Sequence, residues 1–415
     1  MSGDGAGRLE RRLGVGDAVV LGLGSMLGAG VFAAFGPAAG AAGSGLLVAL
    51  VIAAMVAWAN ATSSARLAAR YPESGGTYVY GRRRLGPVWG FLAGWGFVVG
   101  KTASCAAMAL TLGAYLWPDR ARPVAVVAVV VLTAVNCRGI GKTARVTRVL
   151  VALTLVALAA VVAGAVSAPG AGPANLDDWF PHGAYGTLQA AGILFFAFAG
   201  YARIATLGEE VRDPARTIPL AIPLALGIAV AVYAAVGLAA LYAVGPDAIA
   251  RSAAPLVTAT RAGPDWSAEV VRIGGALAAG GVLLSLLAGV GRTALAMARD
   301  RELPSALAVV DARRHVPVRA ELAVGATVAV LAATLDLRGA IGFSSLAVLV
   351  YYAIAHAAAL TLGRGVIAAV GLAGCVTLAA TLPVASVAAG VAVLLAGLVV
   401  RSIRLRSGRA GAPGG

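Results

Sequence analysis

The stretch Gly24-Ser25-Met26-Leu27-Gly28-Ala29-Gly30 lies in the middle of the first long apolar run of the chain, residues 17–38. Three glycines in so short a stretch are a poor way to build a continuous helix. Each lowers helix stability by about 1 kcal/mol relative to alanine, and each lets another backbone come close. In lipid this matters more than in water. Backbone groups that leave the helix at membrane depth are tolerated only where they are buried in protein or line a cavity. The stretch predicts a span that unwinds at mid-membrane to hold a small solute. Outward from it, composition requires the membrane. The 415 residues are 60% hydrophobic and 12% charged, with a mean hydropathy of +0.88. The apolar runs exceed the roughly 18–20 residues needed to cross a bilayer, and 55 glycines suit helices packed closely in lipid.

The chain reads as an all-α polytopic protein with twelve transmembrane helices. They are predicted at residues 17–38, 45–67, 87–116, 123–136, 146–168, 187–207, 217–243, 270–296, 320–335, 340–361, 365–381 and 383–401. Residues 1–16 form a polar N-terminal segment, 17–361 a ten-span core (halves 17–168 and 187–361), 362–401 two additional helices and 402–415 a tail. Basic residues set the orientation. Arg8, Arg11, Arg12, Arg82-Arg83-Arg84, the group from Arg138 to Arg148 and the tail from Arg401 to Arg409 fall on one side. The other side has only Arg120, Arg122, Arg251, Arg261, Arg272 and Arg338. The excess marks the cytoplasmic face, so both termini are expected inside the cell membrane. The same scatter through short loops removes the net charge of +15 as a sign of a nucleic-acid partner. Cys105, Cys137 and Cys375 lie in or beside apolar segments without metal-ligand spacing and read as packing residues. No cleavable signal peptide is evident.

A second break, Phe198-Ala199-Gly200, interrupts the sixth span. Two breaks five spans apart fit an inverted repeat of spans 1–5 and 6–10. A half-helix that begins near Gly28 points free N–H groups and its positive dipole end at the midplane, which suits a carboxylate. The outer half of span six ends near Phe198, and its free carbonyls can accept from an ammonium. Together they describe an α-amino acid. The bland alternative is that these glycines serve close helix packing alone.

The segments Gly24 to Phe32, Tyr71-Pro72-Glu73-Ser74-Gly75-Gly76-Thr77-Tyr78, Gly86-Pro87 with Gly94-Trp95, Phe195 to Tyr201, Glu209 to Pro219 and Ala298-Arg299-Asp300-Arg301-Glu302-Leu303-Pro304 resemble the signatures of amino acid–polyamine–organocation permeases. The resemblance covers roughly residues 10–365. It implies the LeuT-type fold, with helices 1 and 6 broken, and secondary transport by alternating access. It also implies site residues. The amides of Gly28, Ala29 and Gly30, next to Ser25, would hold the substrate carboxylate. Carbonyls at Met26, Phe195 and Phe198, in the segment with Ala197 and Gly200, would take the amine, with Phe198 also as lid or pocket wall. Many members have Ser where this chain has Ala29. A span-five lysine that stands in for a sodium ion in some members is Thr154 here, which puts proton coupling through that position in doubt.

The acidic residues read as loop or span-end groups, with Asp17, Asp336 and Glu269 nearest to apolar segments. A cationic substrate side chain would need a desolvated carboxylate, so a neutral amino acid is predicted. The alternatives are a cationic amino acid or polyamine antiporter and a non-transporting membrane sensor. Arg203 and Lys101 are intramembrane cations and candidates for gating or coupling, against snorkelling or anchoring roles. Thr154 and Ser285 could ligate sodium or simply bond between helices. Arg292 reads as a structural partner of inner-loop carboxylates, and the charged run from Glu209 to Pro214 as an anchor for span six. His182, His315 and His356 have no metal partner at ligand spacing; His356, near Tyr351 and Tyr352, could line a pathway or pack. No catalytic residues, metal or cofactor are expected. The partners are an amino acid and the lipid bilayer, and the choice between proton and sodium coupling is open.

Overall fold

The computed structural model describes residues 13–71, 75–139, 144–201, 204, 211–311, 314, 316–363 and 365–410. The first span comes in three pieces, α1 (Val15–Met26), α2 (Ala29–Ala33) and α3 (Phe35–Ala42). Then follow α4 (Leu46–Arg70), the short α5 (Thr77–Arg84), α6 (Pro87–Leu116), α7 (Ala121–Cys137) and α8 (Ala144–Val166). The second half holds α9 (Gly183–Phe198), α10 (Pro214–Arg251), the short α11 (Pro255–Thr260) and α12 (Asp265–Arg299). It continues with α13 (Val318–Thr334) and α14 (Leu337–Leu360), and α15 (Val366–Thr381) and α16 (Val384–Ala410) follow. Among the described residues ten helical stretches are long and apolar enough to cross a membrane. At the other two predicted span positions stand α13, of 17 residues, and α15, of 16.

Local chemistry sets several boundaries. Gly86, at φ 104°, turns the chain, and Pro87 opens α6 at the position where a missing N–H costs nothing. Asp336 caps α14 by accepting from the Gly339 amide at 3.2 Å. The predicted end of span seven at residue 243 falls beside a kink: Gly245, at φ 73°, turns the chain ahead of Pro246, and a further helical segment runs on to Arg251. Hydropathy did not announce α5 and α11, since neither is long enough to cross.

The helices pack as a bundle. α1 lies on α8 and α10, and α4 on α9 and α14. α6 lies on α7, α12 and α14, and α12 on α8 and α13. The largest side chains under 2% exposed gather on the helices around the two breaks: Tyr115, Tyr201, Tyr233, Tyr352, Phe195 and Phe198. The outer surface is apolar instead, with Met55, Val130, Val156, Val330 and Val370 all more than half exposed. Lipid accepts such a surface where water would not.

Candidate substrate site

The predicted break in the first span is present. α1 stops at Met26, Leu27 and Gly28 leave the helix, and α2 restarts at Ala29. Among the described residues the amides of Gly28, Ala29 and Gly30 find no hydrogen-bond partner. In the sixth span, α9 ends at Phe198 and tightens into a 3-10 turn, Ala199–Tyr201. The two breaks cross in direct contact. A Cβ on Gly200 would stand 2.2 Å from the Ser25 carbonyl oxygen, and one on Gly30 would stand 2.6 Å from the Ala197 Cα. Only glycine permits this approach at either place.

A residue outside both breaks ties them together. The Tyr233 hydroxyl, from α10, is 2.6 Å from the Met26 carbonyl and 3.1 Å from that of Ala197, and donates to this pair. Its ring lies 5.1 Å from that of Phe198. Tyr115, from α6, donates to the Phe32 carbonyl at 2.7 Å and holds α2, the second piece of the first span. Sequence reasoning missed both tyrosines; the only signal was a phenol within an apolar span, where its hydroxyl must find a partner. Phe195 and Phe198 are fully buried, and Phe195 meets Tyr352 edge-on at 5.9 Å. Tyr352 also stacks on Tyr201 at 5.4 Å, next to the 3-10 turn. The Ser25 hydroxyl turns back to the Leu21 carbonyl at 3.1 Å. The Val282 side chain of α12 covers Gly28 closely.

A narrow cavity reaches the first break between α1, α8 and α12. Gly24, Leu27 and Gly28 form one wall, Val151 and Thr154 another, and Gly281 with Val282 the third. Thr154 is thus brought to the break, with its hydroxyl donating to the Leu150 carbonyl at 2.8 Å. Ser285 is not. It is exposed on α12 and bonds to Gly281 of its own helix at 3.3 Å. Lys101 is buried in the middle of α6. Arg203, Glu209, Glu210 and His315 lie outside the described residues. Past them, the exit of span six is anchored: Arg212 donates its amide to the Leu13 carbonyl at 2.8 Å.

The expected ranking of acidic residues changes. Asp17 pairs with Arg148 at 2.6 Å, Glu269 pairs with Arg272 at 2.7 Å, and Asp336 is a cap. The carboxylate carried into the bundle is that of Glu321, 2% exposed, pressed against Gly291. Arg292 is exposed and acts on it electrostatically. Sequence placed Glu321 at a span end, which is correct, but could not show that α7 and α12 close over it. His356 is fully buried and bonds to Ser63 at 3.0 Å and to Asn60. Among the described residues no Asp or Glu lines the cavity or contacts either break, and no three potential metal ligands gather.

The amino acid permease family profile matches residues 13–402 of the chain. An uncharacterized transporter of Mycobacterium tuberculosis is 65% identical over 403 residues, 95% of this chain and 92% of that protein. A branched-chain amino acid permease of Bacillus subtilis is 29% identical, covering 74% of this chain and 71% of its own length. A vacuolar cationic amino acid transporter of Arabidopsis thaliana is 28% identical, over 80% of this chain and 60% of its own.

Proposed function

The chain belongs to the amino acid permease family and is a multi-pass membrane transporter, and from that premise we propose that it moves a neutral α-amino acid across the cell membrane by alternating access. One observation carries the reading. Two interrupted spans meet at one point, with free amides on the first and helix-end carbonyls on the second. The amides and the positive end of a helix suit a carboxylate; the carbonyls suit an ammonium. Phe195, Phe198, Tyr201 and Tyr352 supply an apolar wall, and no described carboxylate stands there to neutralise a cationic side chain.

The ten-span repeat has support in the packing. If span 1 corresponds to 6, 2 to 7 and so on, each neighbour pair should have a counterpart. α4 on α9 is matched by α10 on α1, α6 on α14 by α12 on α8, α6 on α7 by α12 on α13, and α4 on α14 by α10 on α8. Five spans per half inverts the second half relative to the first. In this reading both termini face the cytoplasm, and α15 and α16 are additions to the repeat.

The test is counterflow in proteoliposomes of the full chain. Lumenal leucine or alanine should accelerate entry of the same labelled amino acid, and unlabelled arginine should not compete. Arginine as the sole effective substrate would favour the cationic alternative, in line with the names of some distant relatives. Binding without counterflow would favour a sensor.

A further inference from the structure

Lys101 is the middle residue of the 30-residue α6, about 20 Å from either end of that helix. It is only 9% exposed. Among the described residues its ammonium makes no ion pair, hydrogen bond or cation–π contact. The preceding flank of α6 is closed against α14: a Cβ on Gly100 would stand 2.6 Å from that of Ala347, and the Ser104 and Ser344 hydroxyls are 2.6 Å apart. Lys101 leaves the helix on a different face, with Cys105 one turn further on.

The groups around it are otherwise engaged or distant. Cys105, four residues on along α6, is a buried thiol and offers Lys101 no counter-charge. The Oε2 atom of Glu321 has no hydrogen-bond partner among the described residues. From α14, Tyr351 accepts from the Thr77 amide and Tyr352 is stacked on Tyr201. From α5, Tyr78 and Arg82 are engaged with Asp300 near Gly94, about two turns inward of Lys101. From α7, Asn136 donates to the Leu284 carbonyl and Cys137 is buried. From α12, Arg292 is exposed. From α16, Arg401 turns to Glu302 and Phe91. Among the described residues the lining of the cavity at the first break contains no ionisable side chain.

A lysine in an apolar interior must either pair with an anion or be able to give up its proton. Lys101 has no carboxylate partner among the described residues. We propose that Lys101 is the proton-coupling group of this transporter. Its Nζ lone pair takes a proton from water on one side of the membrane and returns it to water on the other as the amino acid crosses. No covalent bond in the substrate changes. The inference rests on the transport reading above, and it places coupling on the third span instead of at Thr154 in the fifth.

The experiment uses the full chain in proteoliposomes with labelled leucine or alanine. Two assays run side by side: accumulation driven by an acid-outside gradient, and counterflow at equal pH. Wild type should accumulate label, lose it on adding a protonophore, and ignore a sodium gradient. Lys101→Gln should lose gradient-driven accumulation by about ten-fold or more, and its initial rate should no longer depend on pH. Its counterflow should persist. Lys101→Arg, which keeps the charge but does not release the proton, should fail the gradient assay as well. If Lys101→Gln yields no folded protein, Lys101→Arg and the wild-type rate–pH profile carry the test. Undiminished accumulation in Lys101→Gln or Lys101→Arg, a wild type driven by sodium, or one indifferent to both gradients overturns the inference. A wild type that moves no amino acid even by counterflow overturns the transport reading instead.

Discussion

At Tyr233 a single hydroxyl holds two chain breaks in register. Both of its acceptors, Met26 and Ala197, are main-chain carbonyls at the point where the broken spans cross. Tyr233→Phe keeps the ring packed on Phe198 and removes only the donor. The loss of bonds to buried carbonyls should cost about 1–2 kcal/mol, read as a roughly ten-fold rise in the half-saturating amino acid concentration in counterflow. An unchanged value would mean that Tyr233 only fills space. Gly200→Ala should be harsher, because its Cβ would meet the Ser25 carbonyl at 2.2 Å with rigid backbone on both sides. Folded protein without counterflow is expected; normal transport would show that the breaks separate easily.

At the scale of the element, α1 is the piece of the first span best placed to move. It is short, its Met26 end is held at the break by Tyr233 and Gly200, and among the described residues two contacts tie its first turn to neighbouring segments. Asp17 meets Arg148 of α8 at 2.6 Å, and Leu13 receives the Arg212 amide. The cavity lies between α1, α8 and α12 above that latch. Swinging α1 away would open the cavity to the cytoplasm in the proposed orientation. The ion pair is largely exposed, 55% and 30% at its two side chains, so it is a weak latch. Asp17→Asn should raise the rate at which a Thr154→Cys reporter is labelled from inside by roughly two- to five-fold. An unchanged labelling rate would place the latch elsewhere.

Across the whole molecule, the last helix is fastened to the core at two places along its length. Trp95 of α6 donates to the Val393 carbonyl of α16 at 2.9 Å. Arg401 lies 3.9 Å from Glu302, in the loop after α12, and over the ring of Phe91. Glu302 is 7% exposed at its side chain, and burial pushes its carboxyl above the usual range although Arg82 and Arg401 oppose this. Arg401→Ala should therefore lower stability by about 1–2 kcal/mol near neutral pH, less than a fully unpaired charge would cost because Arg82 remains 3.5 Å away. The sign of the pH effect follows from linkage. With the folded carboxyl raised above its unfolded value, its contribution is intact at low pH and is lost as pH rises through the folded value. The thermal penalty of Arg401→Ala should thus grow from acid to neutral pH, and Glu302→Gln in the same background should remove that growth. A penalty independent of pH would assign it to packing on Phe91.

The membrane, the helical spans and both breaks were legible from local sequence. A long apolar run has one fate in water and another in lipid, and glycines in such a run mark where a helix can open. The helical segment past Gly245 and the short α5 and α11 were less legible, since hydropathy averages over windows longer than they are. What decided the site was tertiary. That Gly200 lies on Ser25 and Gly30 on Ala197 depends on how spans far apart in the chain cross. That Tyr233, Tyr115 and Glu321 matter depends on what closes over them, and no residue pattern along one strand of sequence encodes a neighbour two hundred residues away. The first glycine stretch announced an opening in a helix; only the packed bundle showed which backbone atoms face it, and that Lys101 is buried in the middle of α6 without a partner among the described residues.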